Sequence, residues 1–401
     1  MGIRRVGILT AGGIAPCLSA SIAYLIEAYT QQASNVEILF YRYGYGGLLR
    51  GDFFLIDGEM RKNWQNLLPF GGSAVGNSRI KLSNRDDCEK RGFIRTGQDP
   101  QVVAAERLRT DAIDVLHTIG GDDTNSVAAQ LAAHLDRNGY GLAVIGLPKT
   151  IDNDVFPISQ TLGADTAAGE GAKFFANIAN ECTTCPGMLI VHEVMGRNCG
   201  WLTYATARAY LAMLAGRKFL PSIGLRRERW GIHGIYIPEM PINFDDEVGR
   251  LQRIMADVGN VNLFVSEGAG VASILREMEE SGRTIPRDAF GHIKLDQLNA
   301  GNWIGDRLGS AIGAQKVLVQ KSGYFARSAA PNEFDLQLIR ETAHLAVQCA
   351  LQKKSGVIGK DEALGGQMTL INFARIRGGK PFDYKNSDLP GMLANLGQQI
   401  C

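Results

Sequence analysis

The chain is expected to fold as an α/β protein of two doubly wound, Rossmann-like lobes with mostly parallel sheets. Three observations predict this. Short apolar runs alternate with longer amphipathic segments, the rhythm of repeated β-α-β units. Turns rich in Gly or Asp follow several of the apolar runs, where open α/β sheets carry their chemistry. The 401 residues exceed what one sheet and its core usually hold, and suit two lobes.

Arg5–Thr10 reads as a buried strand and Cys17–Gln31 as the helix after it. Val36–Tyr41 is a strand, Val102–Arg109 a helix and Val115–Ile119 a strand. Ser126–Asn138 is a helix and Leu142–Leu147 a strand. A second set follows: helix Thr166–Glu181, strand Met188–Glu193, helix Leu202–Ala215, strand His233–Ile237, helix Glu247–Met255 and strand Asn262–Ser266. Strand Val317–Gln320 and helix Glu333–Lys353 close the pattern. The expected division is residues 1–160 with about 326–365 in one lobe, and 161–325 with about 366–401 in the other.

The composition, 45% hydrophobic and 21% charged, is that of an ordinary globular protein. A net charge of +1 supplies no bulk field for nucleic acid or an anionic membrane. No stretch approaches the roughly 18 apolar residues of a membrane span, and the N-terminus lacks a signal-peptide core. A cytoplasmic protein with no nucleic-acid or membrane partner is expected. The seven cysteines are odd in number and scattered, as reduced thiols would be. Cys182 and Cys185 form a lone CxxC, read as two ordinary thiols. Lys294 is read as a solvated loop lysine, and Trp64, Trp201, Trp230 and Trp303 as packing residues.

Four turns stand out. Gly12-Gly13 lies after the first strand, where paired glycines let backbone N–H groups approach a phosphate. The same turn can serve geometry alone. Gly71-Gly72 opens a loop that ends in Arg79, whose guanidinium could fork onto phosphate oxygens or simply be solvated. Gly120-Gly121-Asp122-Asp123 opens a helix, so its acids can be caps, or Asp122 can hold Mg²⁺. Thr150-Ile151-Asp152-Asn153-Asp154 offers a general base with a second carboxylate beside it, or an Asx-rich turn. Together the four favour a phosphate-handling site. Neither a P-loop nor a GxGxxG dinucleotide fingerprint is present in these turns.

With Met195-Gly196-Arg197, Ser266-Glu267-Gly268 and Gly323-Tyr324-Phe325-Ala326-Arg327 downstream, the set resembles the phosphofructokinase family in content and order. TIDND followed by MGR is a specific pairing, and the likeness runs from residue 7 to about 330. The chain is most similar to the short pyrophosphate-dependent bacterial members. That resemblance implies Mg²⁺-dependent, reversible phosphoryl transfer to the 1-hydroxyl of fructose 6-phosphate, in glycolysis or gluconeogenesis. It implies that Asp152 is the base, with Asp154 in support, and that Asp122 binds Mg²⁺. Gly12 and Gly13 would contact the donor and Arg79 would bridge the moving phosphoryl group. Thr150, Ile151, Met195, Gly196 and Arg197 would hold the sugar phosphate with Asp152. Glu267, Tyr324, Phe325, Ala326 and Arg327 would join them.

The donor turns on two residues. ATP-using members carry Gly where this chain has Asp123 and Lys149. A carboxylate at Asp123 adds bulk and repels an α-phosphate, by about 4 kcal/mol at 4 Å and an effective dielectric near 20. Lys149 supplies a cation to pyrophosphate, which lacks adenosine contacts. Pyrophosphate is therefore the expected donor, with an ATP-dependent enzyme or added use of sedoheptulose 7-phosphate as alternatives. The arginines that reach the sugar phosphate from a neighbouring subunit in ATP enzymes align near Met188 and Leu318, leaving Lys316 or Lys321 to substitute. A homodimer without allosteric control is expected.

Overall fold

The structure, a computed structural model, describes residues 2–285 and 295–400; Lys294 and Cys401 lie outside them. The chain divides into two compact units, Met1–Thr166 with Arg327–Gly379 and Ala167–Ala326 with Lys380–Cys401.

The first unit is built on seven strands: β1 (Arg5–Thr10), β2 (Glu37–Tyr41), β3 (Phe53–Leu55), β4 (Val115–Gly120), β5 (Ala143–Pro148), β10 (Gly356–Asp361) and β11 (Gln367–Ile371). Their order is β11-β10-β5-β4-β1-β2-β3. The inner pairs are parallel, while β3 and β11 at the two edges run antiparallel to their neighbours. Every residue of β4 and β5 is buried, the mark of a sheet covered on both faces. Leu9, Leu39, Leu116 and Val144 form one core with Ala104, Leu108, Val127 and Leu131 of helices Pro100–Thr110 and Asp122–Arg137. Helix Glu333–Leu351 packs against β5, β10 and β11. Residues 366–379, assigned from sequence to the other lobe, belong here because β11 zips onto β10 from Val357–Ile371 to Asp361–Gln367.

The second unit carries β6 (Met188–Val194), β7 (Gly234–Tyr236), β8 (Asn260–Ser266) and β9 (Lys316–Lys321), in the order β7-β8-β6-β9 and all parallel. Its core gathers Leu189, Val191, Leu263 and Val265 with Leu251, Ile304 and Leu308. The α/β class and parallel sheets agree with the sequence reading. Helix Ala300–Ala311 was not anticipated, because its glycines argue against a helix. Packing explains them. A Cβ on Gly301, Gly305 or Gly309 would lie 2.5 Å from Glu193 Oε2, 3.2 Å from Val317 and 2.5 Å from Val317 respectively. The four-residue spacing puts all three glycines on one helix face, so the helix lies directly on β6 and β9. The expected helix over Ser126–Asn138 in fact starts at Asp122, behind Gly121. All six described cysteines are free thiols, Cys182 and Cys185 included.

One buried carboxylate organises the first unit's return segment. Asp335, fully buried, accepts from Gly163 N at 3.2 Å, Thr166 N at 2.8 Å and Thr166 Oγ1 at 2.5 Å. Asn332 caps the helix that carries it, accepting from Asp335 N at 2.9 Å. Asp335→Ala strands two buried N–H groups and is expected to cost about 3–5 kcal/mol in urea unfolding. A loss below about 1 kcal/mol would show that water replaces the carboxylate.

Candidate active site

The four turns singled out from sequence occur at the carboxyl ends of β1, β4 and β5 and on the segment beside β1. Gly12 stands at φ +91°, open to glycine and strained for other residues. Its N–H donates to Ser78 O at 2.9 Å, which ties the β1 turn to the loop ending in Arg79. Gly13 faces Arg79: a Cβ there would lie 3.9 Å from Nη2. Parallel pairing of β4 with β5 sets Gly120 beside Pro148, and Lys149 N bonds Gly120 O at 2.9 Å.

Lys149 is only 4% exposed, and its Nζ donates to Gly13 O at 2.5 Å. Burial lowers its pKa from 10.5 to about 8; the Cys17 thiol beside it raises the pKa, the Arg79 charge lowers it, and Asp152 and Asp154 raise it. Two cations therefore meet at the glycine turn, and Lys149 also feels the charges of Asp152 and Asp154. Within the Thr150–Asp154 loop, Thr150 Oγ1 donates to Asp154 Oδ1 at 3.0 Å and accepts from Asp152 N at 3.2 Å. The Ile151 side chain is buried.

Asp122 and Asp123 form the first turn of helix Asp122–Arg137, where the helix dipole favours negative charge. Burial raises the Asp122 pKa most, the Asp123 N–H works against it, and the charges of Asp123 and Asp154 raise it further. A Cβ on Gly378 would fall 1.9 Å from Asp122 Oδ2, so that glycine is the floor of the carboxylate. Asp123 does not stand alone: Lys81 pairs with its carboxylate, and both side chains are half exposed or more.

The remaining predicted residues, Arg327 of the first unit apart, belong to the second unit. The Met195-Gly196-Arg197 loop follows β6, and Glu267-Gly268 follows the adjacent parallel strand β8. Ser266 Oγ donates to Gly196 O at 2.6 Å, and Glu267 Oε1 accepts from Gly196 N at 3.4 Å. A Cβ on Gly268 would sit 1.9 Å from Arg197 O, so only glycine lets the turn close on the loop. Burial raises the Glu267 pKa; the Gly196 N–H opposes this, Glu193 adds to it, and Arg197 and Lys321 lower it. Gly323 backs directly on Met195, Tyr324 and Phe325 are exposed, and Ala326 is buried. Lys321 pairs with buried Glu193 at 2.8 Å and bonds Asn299 Oδ1 at 3.0 Å; Lys316 is exposed.

A family model described as Phosphofructokinase matches residues 5–350. The chain belongs to the phosphofructokinase family. A relative from Methylomonas methanica named pyrophosphate–fructose 6-phosphate 1-phosphotransferase is 55% identical, over 98% of this chain and 97% of its own length. A protein of the same name from Methylotuvimicrobium alcaliphilum is 56% identical over the same shares. The solved pyrophosphate-dependent phosphofructokinase of Marinobacter aquaeolei aligns at TM-score 0.69 and 21% identity, over 100% of this chain and 93% of that one, which bears on fold alone.

In this phosphofructokinase family member, three residues overlooked in the sequence shape the site. Lys81 holds Asp123, and its signal is the alternation of buried Ile80 and Leu82 about an outward lysine. Asn153 sits at φ +54° inside the TIDND loop; its Oδ1 accepts from Thr161 N at 2.8 Å and its Nδ2 donates to Ser159 O at 3.0 Å. Gly378 carries no signal in the sequence, since its role is a close approach made by chain far from Asp122.

Lys149 predicts a pH signature. Below pH 8 its ammonium is charged in folded and unfolded chains alike, and the full burial penalty applies. Between about 8 and 10.5 the folded chain releases the proton first, so this contribution to stability improves as pH rises. The stability of wild type minus that of Lys149→Met is expected to climb by roughly 3 kcal/mol across that window in urea titrations. A flat difference would contradict a buried ammonium.

Proposed function

We propose that this protein transfers a phosphoryl group from pyrophosphate to the 1-hydroxyl of fructose 6-phosphate, giving fructose 1,6-bisphosphate and phosphate. The carrying observation is Lys149, a buried ammonium against the Gly12-Gly13 turn with Arg79 beside it. Such a site offers fixed positive charge to a small, highly charged donor that has no adenosine to grip. Named relatives at 55% and 56% identity carry the same activity in their names.

In this reading Gly13, Arg79 and Lys149 handle the donor, Asp152 is the base, and residues that follow β6, β8 and β9 supply most of the grip on the sugar phosphate. Asp152 accepts the proton of the 1-hydroxyl as its oxygen attacks the terminal phosphorus of pyrophosphate. The bond from that phosphorus to the bridging oxygen breaks, and phosphate leaves. Arg79 and Lys149 hold the phosphoryl oxygens while charge redistributes; Gly13 lets the donor approach the backbone. Asp154, through Thr150, keeps the loop that carries Asp152 in place. Arg197, Tyr324 and Arg327 bind the 6-phosphate and sugar hydroxyls with Thr150, Met195 and Glu267.

Asp122 fits Mg²⁺. Its oxygen donors are hard, and the Asp123 and Asp154 charges that raise its pKa are what a divalent cation relieves. An Mg²⁺ held there would take the Asp122 carboxylate and complete its shell with substrate phosphates and water. When bound, Mg²⁺ neutralises phosphoryl oxygens and so favours their transfer.

Among the described residues no helix is long and apolar enough to cross a membrane. A cytoplasmic homodimer is part of the proposed reading, as the family resemblance implies.

Purified protein assayed with fructose 6-phosphate and Mg²⁺ is expected to turn over with pyrophosphate and not with ATP. Turnover with ATP alone would reject the donor assignment. Asp152→Asn is expected to lower kcat by about 10³-fold with unchanged thermal stability, as loss of a general base does. The pair Asp123→Gly and Lys149→Gly is expected to abolish use of pyrophosphate at millimolar-scale donor and to open the site to ATP binding, read by calorimetry. Retained pyrophosphate turnover in that double variant would show that the donor is chosen elsewhere.

A further inference from the structure

We propose that Lys81 is a positioning residue that sets donor affinity by holding and neutralising Asp123; this rests on pyrophosphate being the donor. The observation is the ion pair between the Lys81 ammonium and Asp123, two residues of the same unit on separate chain segments.

The segment 78–82 is built to aim its side chains. Ser78 bridges in parallel to Ala11 and accepts from Gly12 N, which fixes the segment alongside the glycine turn. Ile80 and Leu82, each 2% exposed, anchor it in the core. Lys81 O accepts from Asn84 N at 3.0 Å, which pins the far end. The residues between the anchors therefore face outward together: Arg79 toward Gly13 and Lys81 onto Asp123.

An exposed ion pair adds little to folding stability, so the pairing matters mainly for where the carboxylate sits and what charge it shows. Asp123 is the second residue of its helix, directly after Asp122. An anionic donor entering beside these residues meets two carboxylates. Lys81 cancels one of them without occupying the turn, and the bulk of Asp123 stays in place. Loss of Lys81 exposes the full negative charge to pyrophosphate and frees the side chain to move. Neither Lys81 nor Asp123 is among the residues assigned to fructose 6-phosphate.

The test is a double-mutant cycle on the full-length enzyme with Lys81→Met, Asp123→Asn and both together, reading KM for pyrophosphate, KM for fructose 6-phosphate, kcat and Tm. Lys81→Met is expected to raise KM for pyrophosphate about fivefold, with KM for fructose 6-phosphate and Tm unchanged. In the Asp123→Asn background the same change is expected to shift KM for pyrophosphate by less than about twofold, because no charge is left to cancel. Lys81→Arg keeps the cation and is expected to stay within about threefold of wild type. An equal factor in both backgrounds, an unchanged KM for pyrophosphate in Lys81→Met, or a parallel fall in kcat and Tm would overturn the assignment. If Lys81→Met does not fold, a Lys81→Arg variant with KM for pyrophosphate raised about fivefold overturns it as well. Wild type inert with pyrophosphate would overturn the donor reading and this inference together; active wild type with a flat Lys81→Met would overturn this inference only.

Discussion

The first unit depends on the burial of one ammonium. Lys149 is placed by β5, held by its own N–H to Gly120, and donates to the carbonyl of Gly13. A lone ammonium loses several kcal/mol of hydration at such a site unless other groups compensate. Here a carbonyl and the Asp152 and Asp154 charges do so, yet Arg79 pushes the other way and burial still brings the pKa down to about 8. The site is thus left with a deficit of negative charge that an anionic substrate can fill. Arg79, the TIDND carboxylates and the glycine turn are each arranged about that deficit.

The second unit obeys a steric constraint in place of an electrostatic one. β6 and β8 run parallel and end together, so their following turns must share the same space. Gly268 makes this feasible by lying against the Arg197 carbonyl, and Ser266 and Glu267 then bond both polar groups of Gly196. Arg197 is presented by a loop whose backbone has little freedom left. Behind it, Gly301 lets helix Ala300–Ala311 bring its N–H within 2.9 Å of Glu193, and Glu193 in turn holds Lys321. Small residues at the contacts are what keep the charged ones in register.

Much of this was legible in the sequence, for a physical reason. Strands such as β1, β4, β5, β6 and β8 are continuous apolar runs followed by turns with distinctive chemistry, so both the element and its functional end show locally. What escaped is non-local. β10 is broken by Gly356 and Gly359, and its partner β11 joins it only through antiparallel pairing near the C-terminal end of the chain. Helix Ala300–Ala311 looks like a loop until the side chains of β6 and β9 are seen to need its missing Cβ atoms. Asn153 reads as one more turn residue, whereas its left-handed backbone and bonds to Ser159 and Thr161 hold the loop that carries Asp152. Lys81 and Gly378 owe their places at the site to chain that lies 42 and 256 residues away, at Asp123 and Asp122.

The structure also changes how Asp123 is to be weighed. The repulsion of about 4 kcal/mol supposes an unpaired carboxylate at an effective dielectric near 20. Asp123 is 63% exposed and paired with Lys81. In water-like surroundings the same separation yields about 1 kcal/mol, and a neighbouring cation lowers it again. Charge alone then discriminates against a longer phosphate chain by less than tenfold. On the proposed reading, discrimination leans instead on the volume of the Asp123 side chain where a glycine would leave room, and on the buried cation at Lys149. Asp123 would then exclude by shape and Lys149 attract, as suits a site for the smaller and more densely charged donor.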